Sequence, residues 1–153
     1  MRTIGVMMAA AAILAGTAGA AWAQTAQEKA VEARKANFKK FGASMKAMTG
    51  FVRNDVGTAA DVQAAAGTIA GLAPNLTKWF PAGTAVGVGK SEALPAIWDK
   101  ANQAEFQKFA ANLGVEANKM VAVAKSGDKA AIGAQLGALG GTCKACHDKY
   151  KED

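Results

Sequence analysis

Apolar positions recur at helical spacing through most of the chain, and strict alternation is nowhere sustained. Val31, Phe38, Met45 and Val52 stand seven apart, and Phe41 and Met48 lie three positions after two of them. This is the stripe of one long helix, predicted over about Ala26 to Val52. Arg34 falls where the stripe expects an apolar residue. A guanidinium there must either snorkel to water near the helix start or find a buried partner. A second helix is predicted over about Thr58 to Leu76, with Val62, Ala66, Ile69, Leu72 and Leu76 on one face. Thr58 and Asp61 have the spacing of a capping box.

From Thr77 to Leu94 the periodicity stops, and Pro81, Gly83, Gly87 and Gly89 mark a loop. Its length is unusual inside a compact domain and typical of functional loops. Trp79 and Phe80 open it and read as core tucked under a bundle end, with a cofactor edge as a further neighbour. A third helix is predicted from Pro95, a favoured first position. Trp98, Ala101, Phe106, Phe109, Leu113, Ala117, Met120 and Ala124 share its face, and Ser126-Gly127 ends it. The fourth starts at Asp128, a good cap, and carries Ile132, Leu136, Leu139, Cys143, Cys146 and Tyr150. Four helices with short first and last connections predict an all-α fold, an antiparallel four-helix bundle. Gly133, Gly137, Gly140 and Gly141 weaken the fourth helix and are read as close-packing positions.

The first residues are of another kind. A basic start at Arg2, an apolar run from Ile4 to Ala15 and Ala21-Trp22-Ala23 have the form of a secretory signal, cleaved after Ala23. That run is short for a membrane anchor. The expected product is residues 24–153, one exported, periplasmic domain without a stable membrane anchor. Its formal charge is +5, against +6 for the whole chain, because only Arg2 is lost. Such a balance suits an anionic partner. No basic run interleaved with aromatic residues supports nucleic-acid binding.

The chemistry lies in Cys143-Lys144-Ala145-Cys146-His147. Two thiols three apart and an adjoining imidazole form the attachment pattern of c-type haem. Each thiol adds across one porphyrin vinyl group. On a helix the two sulfurs share a side, and His147 can ligate the iron as a neutral imidazole. A zinc site would need further Cys or His ligands, and the chain has none. A thioredoxin-like dithiol expects a βαβ context. A Cys143–Cys146 disulfide would fit an oxidising compartment if no haem were attached. The cysteines replace core residues on the inner face, so one covalent haem c is expected inside the bundle. Its two propionates would bring the charge near +3.

In an up-down-up-down bundle, His147 lies level with the start of the first helix. Arg34, Phe38, Leu72, Trp98 and the long loop are therefore expected around the haem, with Arg34 paired to a propionate. Met45 would lie ~10 Å beyond Phe38 along the helix. Met48 and Met120 would lie farther off, so all three read as core. Phe38 has no lone pair, which leaves the iron five-coordinate.

These features together resemble cytochrome c prime, the high-spin class II c-type cytochromes. The carriers are CKACH with Asp148 and Tyr150, the Pro95-Ala96-Ile97-Trp98 start of the third helix, and the Arg34 region. The resemblance implies a four-helix bundle, usually a homodimer. It also implies Arg34, Lys35 and Glu92 at the haem or its propionates. Low-spin relatives place a Met ligand four residues after this Arg, where Phe38 stands here. Where the family often has Arg, four residues after the His, this chain has Lys151. The implied function is binding of a small gas, nitric oxide or carbon monoxide, and one-electron exchange with a redox partner. The alternative is a dedicated low-spin electron carrier with a Met sixth ligand. An enzyme such as a peroxidase would want a distal acid–base group, and no second His is present.

Overall fold

The computed structural model describes residues 24–152. The leader expected over residues 1–23 lies outside them. Helix α1 spans Ala26–Asn54, α2 Ala59–Leu72, α3 Gln103–Ala124 and α4 Lys129–Tyr150. Each helix packs against its neighbours in the order α1, α2, α3, α4 and back to α1. Among the described residues the only extended pairing is one antiparallel bridge, Ala93 with Lys151. No described helix is long and apolar enough to cross a membrane.

The helix starts follow from local chemistry. Thr25 with Glu28, and Thr58 with Asp61, form reciprocal capping boxes that satisfy donors α1 and α2 would otherwise leave bare. Asp128 accepts from Ala130 and Ala131 at the start of α4. Helix α1 ends with Asp55 in the left-handed region, and Lys129 of α4 pairs with that Asp. The core is the predicted stripe: Val31, Met48, Val62, Ala66, Ile69, Ala117, Met120, Ile132 and Leu139 are all but sealed from solvent.

Two stretches depart from the predicted helices. The second helix stops at Leu72, and Ala73–Trp79 continues as a 3-10 segment. Pro74 removes an amide donor there, which suits a short tightened segment. The third helix does not run unbroken from Pro95. Pro95–Trp98 and Lys100–Asn102 are separate 3-10 turns, with Asp99 extended between them. Side-chain amides serve carbonyls there: Asn102 donates to the carbonyl of Ala96 at 3.0 Å, and Gln103 to that of Ile97 at 2.6 Å.

Seven-residue steps on α1 and α4 run in opposite directions. A Cβ on Gly133 would meet Val52 at 3.3 Å, and one on Gly140 would meet Met45 at 3.7 Å. The next step puts Phe38 level with His147. The expectation that all four α4 glycines are close-packing positions holds only for these two. A Cβ on Gly137 or Gly141 would meet nothing within 4 Å.

Candidate functional site

A cavity of about 480 Å³ opens at this level between α1, α3, α4 and the 77–94 segment. It is within the usual size range of small-molecule sites. Its walls are mostly apolar, and aromatic rings in edge-to-face contact build much of them. Phe38 meets Phe41, Trp79 and Phe80 with ring centroids 5.6–6.1 Å apart. Phe80 continues to Phe106 at 5.1 Å, and Phe106 to Tyr150 at 5.5 Å. Such contacts use the positive ring edge against the negative face. The Tyr150 phenol donates to Glu105 at 3.0 Å. Burial, chiefly, pushes its pKa up to about 12.

Cys143 and Cys146 stand half-buried on the α4 wall, and neither is in a disulfide. Burial raises both thiols, Cys146 to about 11 with the neighbouring Cys143 adding to the effect. Both are therefore protonated at neutral pH. His147 also lines the cavity. Burial first, and then Lys151, lowers its pKa, which favours the neutral imidazole that a metal needs.

Arg34 does not snorkel; only 4% of it is exposed. It donates to Thr84 Oγ1 at 3.0 Å, the Thr84 carbonyl at 2.9 Å and Ser91 Oγ at 2.7 Å. The guanidinium also lies 4.6 Å from the centre of the Phe80 ring. All three acceptors are neutral, and burial lowers its pKa from the ordinary value. The partner of this buried Arg within the chain is thus the long loop. Thr84 and Ser91 are partners of Arg34 that periodicity could not find. The available signal was that a buried Arg needs acceptors, and this loop holds few hydroxyls.

The loop is fixed at its other end as well. Leu94 N–H donates to the Tyr150 carbonyl at 2.9 Å, and Glu152 N–H to that of Glu92 at 2.8 Å. Glu92 lies at the mouth, 3.3 Å from Lys151. Lys35 shares the mouth and is 3.7 Å from Glu32.

Two expected neighbours are corrected. Leu72 and Trp98 do not line the cavity; Leu76 and Ile97 do. Tightening to a 3-10 segment after Leu72 changes which residues face inward. Trp98 is turned aside so that its indole N–H reaches the Phe80 carbonyl at 3.0 Å. Met48 and Met120 are sealed core as expected, and Met45 packs against that core while also lining the cavity.

The whole helical domain matches one family model. Residues 29–151 fit the model described as cytochrome C'. The chain belongs to the cytochrome c' family. It is 40% identical over 149 residues to the cytochrome c' of Rhodospirillum rubrum, covering 96% of this chain and 98% of that one. It is 38% identical over 125 residues to that of Pararhodospirillum photometricum, covering 82% and 98%. Among solved structures it resembles a cytochrome c' with ligand-controlled dimer dissociation. The TM-score is 0.76 at 29% identity, over 86% of this chain and all of that one. It also resembles the nitric oxide complex of a variant cytochrome c prime from Alcaligenes xylosoxidans. There the TM-score is 0.71 at 28% identity, over 83% and 96%.

The family's cofactor is haem c, held covalently through Cys143 and Cys146. The residues present fit it. Two thiols share one wall, an imidazole follows them, and a buried cation with only neutral acceptors lines the same apolar cavity. A buried guanidinium with no carboxylate beside it calls for an anion, and a cytochrome c' haem carries two carboxylates.

Proposed function

We propose that this member of the cytochrome c' family is an exported, periplasmic protein that binds a small gas, nitric oxide or carbon monoxide, and exchanges single electrons. The leader over residues 1–23 would direct export, and residues 24–153 would form the mature domain. The observation that carries the reading is Phe38, which lines the same cavity as His147 and is locked among Phe41, Trp79 and Phe80. Haem c supplies an iron that accepts a gas and one electron.

The chain's residues divide the remaining work. Cys143 and Cys146 would tether the porphyrin, and His147, as a neutral imidazole, would be the iron's protein ligand. Phe38 offers no lone pair and would add no second protein ligand, which is the reading of a five-coordinate, high-spin iron. A gas entering the cavity would have to move the Phe38 ring, and the apolar wall would offer bound dioxygen no hydrogen bond. Arg34 uses three N–H groups on the loop, which leaves two of its five for a propionate. Lys35 and Glu92 line the same cavity and would lie near the propionates. The solved nitric oxide complex of a family member supports the choice of ligand. Dimer dissociation in another member supports a homodimer. The reading makes the protein a binder and carrier rather than an enzyme.

One observation favours a second reading. Met45 lines the cavity, so a low-spin carrier with a Met sixth ligand has a candidate sulfur. Spectra of the purified protein, oxidised, reduced and reduced under carbon monoxide, decide between them. High-spin bands that move on adding carbon monoxide are expected. A ferric Met-to-iron band at the red edge, with a reduced spectrum unmoved by carbon monoxide, would replace the first reading with the second.

A further inference from the structure

Phe38 is held by rings of different origin. Phe41 stands one turn along the same helix, and the Trp79 ring lies 5.6 Å from both of them. Phe80 comes from the irregular stretch after the 3-10 segment, and its ring meets that of Phe38 edge to face at 6.1 Å. Phe80 lines the cavity and its neighbour Trp79 does not. The Phe80 ring also lies 5.1 Å from that of Phe106, so it joins the α1 wall to the α3 wall.

Phe80 is not free to shift as loop residues ordinarily are. Its carbonyl accepts the Trp98 indole N–H at 3.0 Å, and its own N–H reaches the Thr77 carbonyl at 3.3 Å. The Arg34 guanidinium lies 4.6 Å from the centre of its ring, and Arg34 is itself fixed by three hydrogen bonds to the loop. A cation over an aromatic face is drawn to the ring's negative centre, more strongly away from water. Arg34 and Phe38 stand four apart on α1, so their side chains are neighbours and the Phe80 ring meets both. Ordinary core packing would ask only for apolar neighbours. Phe80 is half-buried, and an indole donor and a buried cation pin it as well. A ring can swing only where its neighbours yield, and close-packed side chains yield little.

We propose that Phe80 is the positioning residue for Phe38: pinned by Trp98 and Arg34, it holds the Phe38 ring in the cavity wall and so sets how readily a gas enters. This rests on the reading above, in which Phe38 is the ring a gas must move. Phe80 acts through Phe38, so its influence on gas binding should vanish when the Phe38 ring is removed.

The test is a double-mutant cycle on the carbon monoxide dissociation constant of the ferrous holo-protein, beside crystal structures of the unliganded variants. Phe80→Leu keeps an apolar side chain and removes the ring that meets Phe38 and Arg34. It should tighten carbon monoxide binding by about twofold to tenfold, the range for loss of one aromatic pair. In a Phe38→Ala background the same substitution should change the constant by less than about 1.5-fold. Trp98→Phe keeps a ring and removes only the N–H that holds the Phe80 carbonyl; it should act in the same direction and more weakly. Phe51→Leu makes the same chemical change on α1 outside the cavity and should leave the constant at its wild-type value. The unliganded Phe80→Leu structure should show the Phe38 ring displaced or in two rotamers. An unchanged constant in Phe80→Leu, or in Trp98→Phe where Phe80→Leu does not fold, would overturn the proposal. Equal tightening with and without the Phe38 ring, or a Phe38 ring that stays in place, would overturn it too. Phe38→Ala alone tests the reading beneath. If that variant binds carbon monoxide as the wild type does, the reading of Phe38 fails. If it binds more tightly and Phe80→Leu does not, only the role of Phe80 fails.

Discussion

The far end of the bundle and the cavity end are built from the same four helices by different means. At the far end, turns are short and α2 and α4 open on well-capped first turns. Lys129 ties α4 to the end of α1, and Met48, Met120 and Ile132 are sealed from solvent. At the cavity end, α2 gives way to a 3-10 segment and α3 begins late. The long loop between them is held through Arg34 rather than through its own periodicity. The site occupies the end where the helices are held apart. Loops and irregular turns can carry binding groups because a rigid scaffold positions them.

The sharpest way to break this division is to damage the far end alone. Met120→Ala should cost about 2–5 kcal/mol, the range for large-to-small core changes. It should leave the carbon monoxide spectrum of the folded protein unchanged, as read by urea melts beside ligand titrations. The loop network should be smaller in energy but visible at the site. Thr84→Val removes one acceptor from a buried guanidinium and should cost about 1–3 kcal/mol. It should also shift the redox potential, because Arg34 loses its anchor; an unchanged potential would separate Arg34 from the haem.

The smallest effects test packing along α4. Gly137→Ala has open space and should stabilise by up to about 1 kcal/mol. Gly133→Ala would press a Cβ to 3.3 Å from the Val52 side chain, whose branched Cβ makes it slow to yield. Its gain should be smaller or reversed. Equal thermal melts for the two variants would remove the packing argument.

The same division explains what the sequence made legible. Heptad spacing located α1, apolar residues sharing a helical face located most of α3 and α4, and Thr58 with Asp61 marked the start of α2. CKACH identified the cofactor by itself, since its chemistry needs no tertiary context. The breaks after Leu72 and around Asp99 were hidden because apolar residues continue through both at near-helical spacing. Leu76 and Ile97 replaced Leu72 and Trp98 on the wall for that reason. The acceptors of Arg34 lie 50 and 57 residues away in a stretch with no period, so only the fold could bring them to it. Gly137 and Gly141 look like Gly133 in the sequence, and only the distance to a neighbour tells them apart.

The central claim is that Phe38, at the cavity end, controls access to the iron while the far-end core does not. Its most direct test is the carbon monoxide dissociation constant of the ferrous protein for Phe38→Ala, measured beside Met120→Ala. The account predicts tighter binding in Phe38→Ala, because no ring need be pushed aside, and a wild-type constant in Met120→Ala. An unchanged constant in Phe38→Ala, or an equal change in both variants, would contradict it.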